Sequence, residues 1–317
     1  MILDELLSKR LLILSGKGGV GKSAVGTALA LTACDRAKRV LMVEVGASVE
    51  AARYLGARPA GAQATEVRPG LFTVNLDPGG VLDEYVRQVV KIQLLVHRIL
   101  ENPVYRRFVS AAPGLRELMV LGKLMVLEEA RDRWSRRPLY DLIILDAPAT
   151  GHGLSFLKVP LAASEAIPVG PVGHNARRIL QLLRDPRRTG LAIVATPEEM
   201  AVVEALQFHR QVASEVGIAT SAVILNACHE RRLGEAQEKE VRRLVAQGAH
   251  GRLAGRVSLA AALRSGQRHI RRRKLTRFYQ TRLRKALDLP LVCLPYLPCE
   301  ELGPAEVRLL ADRLEVS

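Results

Sequence analysis

The chain has 317 residues, 48% apolar and 25% charged, a balance that fits a folded protein with a full-sized core and excludes global disorder. No apolar run reaches the roughly 18 residues that a membrane-spanning helix needs. The formal net charge is +15, and ten Lys among the 47 basic residues leave 37 Arg, a surplus that points to phosphate, acidic protein or anionic lipid without choosing among them.

In chain order, short apolar runs alternate with stretches of helical spacing. Leu11–Ser15 reads as a strand, Ser23–Arg36 as a helix, and Arg39–Val45 and Leu71–Leu76 as strands. Val81–Leu100 and Leu115–Ala130 then repeat apolar residues at helical spacing. Asp141–Leu145 is a strand and Leu154–Leu183 a helical block. Strands at Leu191–Ala195, Ser221–Asn226 and Leu289–Leu294 follow, with helices at Pro197–Val216, Leu233–Gln247, Arg264–Lys285 and Pro304–Leu314. The alternation predicts an α/β fold, a doubly wound, mostly parallel sheet covered on both faces. About 60 residues before Asp141 carry no strand signal, too many for a structureless loop. They predict helical subdomain insertions at 81–138 and 154–187 within one domain spanning 1–317. Met119 and Met125 in that insertion read as core filler or as the lining of an adaptable groove.

Residues 15–23 read Ser-Gly-Lys-Gly-Gly-Val-Gly-Lys-Ser. Gly16, Lys17, Gly18, Gly19, Val20, Gly21, Lys22 and Ser23 fit G-x-x-x-x-G-K-[ST] between a strand and a helix, the context this phosphate-binding motif requires. Glycines let the backbone wrap closely round phosphates with its N–H groups pointing inward. Lys22 is placed to reach the β- and γ-phosphates, and Ser23 to occupy a Mg²⁺ position. An apolar strand ending in Asp146 has the Walker B pattern, whose carboxylate holds a Mg²⁺-bound water facing the γ-phosphate.

The second lysine, Lys17, makes the loop resemble the deviant P-loop of the MinD/ParA/ArsA group. That resemblance implies ATP as the nucleotide, and a Lys17 that reaches the nucleotide of a facing subunit in an ATP-closed dimer. Asp146-Ala147-Pro148-Ala149-Thr150-Gly151-His152 narrows it: the segment resembles the switch loop of the ArsA family of arsenite-pump and tail-anchored-protein-targeting ATPases. There the loop reports the γ-phosphate to the helical subdomain. Asn226 matches the family's adenine-recognising Asn, although an Asn closing a strand is also a common turn former. Pro295 and Tyr296 fall in a segment similar to the family's late adenine loop.

The pattern departs from the family at the second strand. Where an Asp usually polarises the attacking water, this chain has Val43-Glu44-Val45-Gly46-Ala47-Ser48. Glu44 is the candidate replacement, which gives Lys17, Lys22 and Glu44 as expected catalytic residues and Ser23 and Asp146 as expected metal ligands. The departure leaves three readings. An ATP-hydrolysing dimer, homomeric or paired with a paralogue, would bind a client on its helical subdomain. A non-hydrolysing ATP-gated module would be half of a heterodimer. A ParA/MinD-like positioning ATPase would act on nucleic acid or an anionic membrane.

The last reading would use Arg264–Lys285, which holds ten Lys or Arg and no acid; the alternative is a solvated face in an Arg-rich chain. The four cysteines form no C-x-x-C and read as buried or idle thiols, which speaks against metalloid sensing. The single Trp134 reads as a packing anchor. The start, Met1-Ile2-Leu3-Asp4-Glu5, lacks a secretory pattern, so the cytoplasm is the expected compartment.

Overall fold

The structure is a computed structural model that describes residues 2–46, 49–89, 97–98, 100–103, 114–249, 252–253 and 257–316. Helix α1 (Ile2–Ser8) leads into β1 (Leu11–Ser15), a fully buried strand at the heart of the sheet. An apolar run buried on both faces is what a central parallel strand requires. The strands that follow are β2 (Val40–Val45), β3 (Thr65–Arg68), β4 (Leu71–Leu76), β5 (Leu142–Asp146), β6 (Thr189–Ala195) and β7 (Thr220–Cys228). β8 (Arg252–Leu253) pairs with β9 (Val257–Ser258) as a small ribbon, and β10 (Leu291–Pro295) closes the main sheet. The main sheet has the order β10-β7-β6-β1-β5-β2-β4-β3, and β3 alone runs antiparallel.

Helix α2 (Lys22–Asp35) packs on the sheet with ten consecutive buried or nearly buried residues from Ala24 to Ala33. Helix α3 (Glu50–Tyr54) follows β2, and α4 (Pro78–Val89) follows β4. The predicted helix at 81–100 is thus seen as far as Val89; its remainder falls largely outside the described residues. α5 (Leu115–Glu129) packs against α4, and α6 (Thr150–Ala166) and α7 (Gly170–Arg184) pack against α5 and each other. The single block predicted at Leu154–Leu183 is two helices. Ile167 leaves the helical region before Pro168, as a residue preceding proline is pushed to do.

Helix α8 (Glu199–Gln211) ends in a π turn at Val212–Val216, and α9 (Glu235–Ala246) precedes the 28-residue α10 (Leu259–Ala286). α11 (Pro304–Glu315) docks on α2. No described helix is long and apolar enough to cross a membrane. Trp134 corrects the sequence expectation. It is 93% exposed at the tip of the turn between α5 and β5, so it anchors no packing within the chain.

Candidate nucleotide site

All strands of the main sheet but β3 point the same way, so the ends of β1, β5, β7 and β10 converge on one edge. That edge collects the P-loop after β1, the 147–149 segment after β5, Asn226 near the end of β7, and Pro295 at the end of β10. Ligands of open α/β sheets bind at this edge.

Two glycines of the loop are sterically required. A Cβ at Gly16 would penetrate the carbonyl of Val194 on β6. A Cβ at Gly21, where φ is 86°, would come within 2.5 Å of the Asn226 amide nitrogen. Gly18, Gly19 and Val20 complete the turn. Lys22 Nζ folds back over it, donating to Gly16 O at 3.3 Å and Lys17 O at 3.5 Å. Burial lowers the Lys22 pKa, with the attraction of Asp146 opposing it.

Ser23 Oγ donates to Asp146 Oδ2 at 2.5 Å. The other carboxylate oxygen of Asp146, Oδ1, is buried without a hydrogen-bond partner. Burial raises the Asp146 pKa, against the pull of Ser23 and Lys22. A desolvated carboxylate with an orphan oxygen beside a serine hydroxyl and a lysine suits a hard divalent cation with oxygen ligands, so these residues fit the Mg²⁺ that the motif implies.

Glu44 lies one strand over, in register with Asp146 across the β2–β5 pairing. In a parallel pair, registered residues share a face of the sheet, so both acids point to the α2 side. Glu44 is buried, and its Oε1 accepts from the backbone N–H groups of Glu50 at 2.7 Å and Ala51 at 3.1 Å. The carboxylate thereby caps the N-terminus of α3.

Lys17 forms an ion pair with Glu204 of α8, whose second oxygen accepts from the Thr150 hydroxyl at 3.0 Å. Glu204 escaped sequence reasoning. It sits in an ordinary amphipathic helix, and only the packing of α8 against the start of α6 brings it to the loop. Asn226 Nδ2 donates to Val20 O at 2.9 Å, bracing the P-loop from β7. A cavity of about 250 Å³ opens beside it, lined by Gly21, Asn226, Pro295, Tyr296, Leu297 and Leu302 among others. The ring of Tyr296 stacks on His229, 4.5 Å between centroids and 24° between planes. Burial, then Arg272, lowers the His229 pKa. His229 carries no motif, and only its stacking reveals it.

A strand–glycine loop–helix with Lys22, Ser23 and Asp146 converging at the sheet edge defines a P-loop nucleotide-binding protein. The ArsA ATPase family model, described as anion-transporting ATPase, matches residues 9–168. The ATPase BagA of Mycobacterium tuberculosis is 30% identical over 228 residues, covering 70% of this chain and 66% of that protein. Arsenical pump-driving ATPases of Escherichia coli and Acidiphilium multivorum are 25% and 27% identical over 68% of this chain and 39% of theirs. The chain belongs to the ArsA ATPase family. It spans just under two thirds of the mycobacterial relative and well under half of the pump-driving ones.

Proposed function

We propose that this chain binds ATP at the P-loop and hydrolyses it as a dimer, with itself or with a paralogue, in the cytoplasm. The observation that carries the reading is the Lys22–Ser23–Asp146 cluster, with its orphan carboxylate oxygen at the mouth of the glycine loop. Ser23 and Asp146 would hold Mg²⁺, which neutralises phosphate charge when bound. Lys22 is aimed across the loop toward the phosphates, and the loop's N–H groups cradle them. Asn226, Pro295 and Tyr296 line the cavity assigned to the base. Lys17 would leave Glu204 to reach the facing subunit's nucleotide.

A cavity of about 240 Å³ between α4, α5 and α7 supports a client-binding role for the helical layer. Val81, Leu118, Met119, Met125, Val172 and Ile179 give it an apolar lining. Met119 and Met125 fit a groove that adapts to its occupant.

The second reading, an ATP-gated module without turnover, draws on Glu44. Its position beside Asp146 suits a group that orients water, yet its Oε1 is engaged by α3. Steady-state ATP turnover with Lys22→Ala as control, together with mass measured with and without ATP, separates the two. Turnover that the variant lacks supports hydrolysis. ATP binding without turnover supports the gated module. Failure to bind ATP overturns both.

A further inference from the structure

The amino-terminal edge of the sheet, opposite the P-loop, carries a second concentration of chemistry. Arg10, Arg39 and Arg188 immediately precede β1, β2 and β6, and the turn at 131–137 precedes β5. Backbone bonds knit these strand starts together: Leu11 N donates to Arg188 O at 2.9 Å, and Asp141 N to Arg39 O at 2.7 Å. Arg131, Arg133, Arg136 and Arg137 share the turn of Trp134, and Arg39 and Arg187 stand beside the starts of β2 and β6 on the same edge, all exposed. Among the described residues none of these six has a carboxylate within ion-pair distance. Of the acids at this edge, Asp132, Asp141 and Asp185 accept from backbone N–H groups, while Glu128 pairs with Arg188 and Arg10 and Glu129 with Arg178.

The turn is built, not slack. Asp132 Oδ1 accepts from Trp134 N at 3.1 Å, Ser135 N at 2.7 Å and Ser135 Oγ at 2.9 Å. Asp132 N donates to Arg137 O at 2.9 Å, and Arg136 takes a positive φ of 57°. These bonds hold the Asp132 carboxyl below the usual range, led by the one from Ser135 N. The chain thus fixes its only tryptophan in water, 93% exposed, on a turn that also carries the exposed Arg131, Arg133, Arg136 and Arg137.

We propose that this edge docks on an anionic bilayer surface, with Trp134 as its interfacial anchor. An indole prefers the headgroup level, where its ring is apolar and its N–H stays wet. The surrounding arginines match lipid phosphates. The cations spread across several neighbouring strand ends, as suits a planar surface more than the single line of a nucleic-acid backbone.

The single tryptophan makes the test direct. The full chain is titrated with vesicles of phosphatidylcholine and phosphatidylglycerol in equal parts, with vesicles of phosphatidylcholine alone, and with single- and double-stranded oligonucleotides. Anionic vesicles are expected to blue-shift Trp134 emission and shield it from an aqueous quencher, an effect that added salt reverses and neutral vesicles do not produce. The triple variant Arg133→Gln, Arg136→Gln, Arg137→Gln keeps the tryptophan and should partition roughly a hundredfold more weakly, at about one tenfold step per 1.4 kcal/mol. Because these side chains are exposed, its melting temperature should match that of the parent.

Three results would overturn the proposal. Trp134 emission could ignore anionic vesicles at low salt. The protein could sediment with them while Trp134 stays fully quenchable, which would assign binding to the basic face of α10 around Phe278. Oligonucleotides could shift the emission where vesicles do not.

Discussion

Lys17 of the P-loop is ion-paired to Glu204 of α8, and the same carboxylate accepts from the Thr150 hydroxyl. One acid therefore ties the P-loop to the start of helix α6. Both partners are part-exposed, so the pair contributes about 0.5 kcal/mol. If Lys17 serves a facing subunit, it must first leave Glu204. Glu204→Gln is then expected to lower the ATP concentration for half-maximal dimerisation about twofold, read by light scattering. An unchanged curve would show that the pair restrains nothing. The Lys17 hydrogen bond holds the Glu204 carboxyl below its ordinary range. The stability this lends is present above the unfolded pKa and is lost only as pH falls through the lower folded value.

Asp146 presents the opposite sign. Burial raises its pKa, so the folded chain holds a proton that the unfolded chain releases. Stability of the nucleotide-free protein should therefore fall as pH rises from the unfolded value through the folded one. Asp146→Asn keeps an acceptor for Ser23 and removes the buried charge. We expect it to stabilise the nucleotide-free protein by about 1 kcal/mol, roughly 2–4 °C in melting temperature, while abolishing Mg²⁺-dependent ATP turnover. A lower melting point would show that Asp146 is a structural ion partner and not a metal ligand held in wait.

Much of this was legible from residues alone. β1, β4 and the start of α5 fall where the apolar spacing puts them, because buried parallel strands and amphipathic helices write their periods directly into sequence. The P-loop was legible because its glycines answer local steric demands. β3 was not, since Thr65–Arg68 is a largely exposed edge strand with charged residues and no apolar run. The break at Ile167–Pro168 was signalled by Pro168, Gly170 and Pro171, but the apolar spacing on either side reads through it as one helix. Glu204, His229 and the exposure of Trp134 were invisible for one reason: each depends on which elements pack together, and no spacing rule encodes that.

Tyr296 lines the cavity proposed above for the base and stacks on His229. An aromatic contact of this kind contributes about 1 kcal/mol beyond area. Tyr296→Ala should weaken ATP binding about fivefold to tenfold and leave pyrophosphate binding unchanged, compared by calorimetry. Equal losses for both ligands would place Tyr296 in the architecture of the loop and not against the base.

Glu128 sits at the opposite edge and is only 2% exposed. It accepts from Arg188 at 2.5 and 3.2 Å and lies 3.6 Å from Arg10 Nε. Arg10 also donates to the main-chain carbonyls of Tyr140, Asp141 and Glu128, so its guanidinium joins the starts of β1 and β5 to the end of α5. Burial lowers the Arg10 pKa, and Glu128 is the main opposing influence. Glu128→Gln would leave the part-buried Arg10 with Asp141 as its remaining acidic influence, and a half-buried charge that loses its main partner costs about 2 kcal/mol, below the roughly 3–5 kcal/mol of a fully buried pair. The denaturant midpoint should drop accordingly with the slope unchanged. ATP affinity of the folded fraction should hold, since the P-loop lies at the far end of β1. A variant as stable as the parent would mean that water reaches Arg10 and replaces the lost carboxylate. A variant that loses ATP affinity while folded would mean that the two edges of the sheet are coupled through β1.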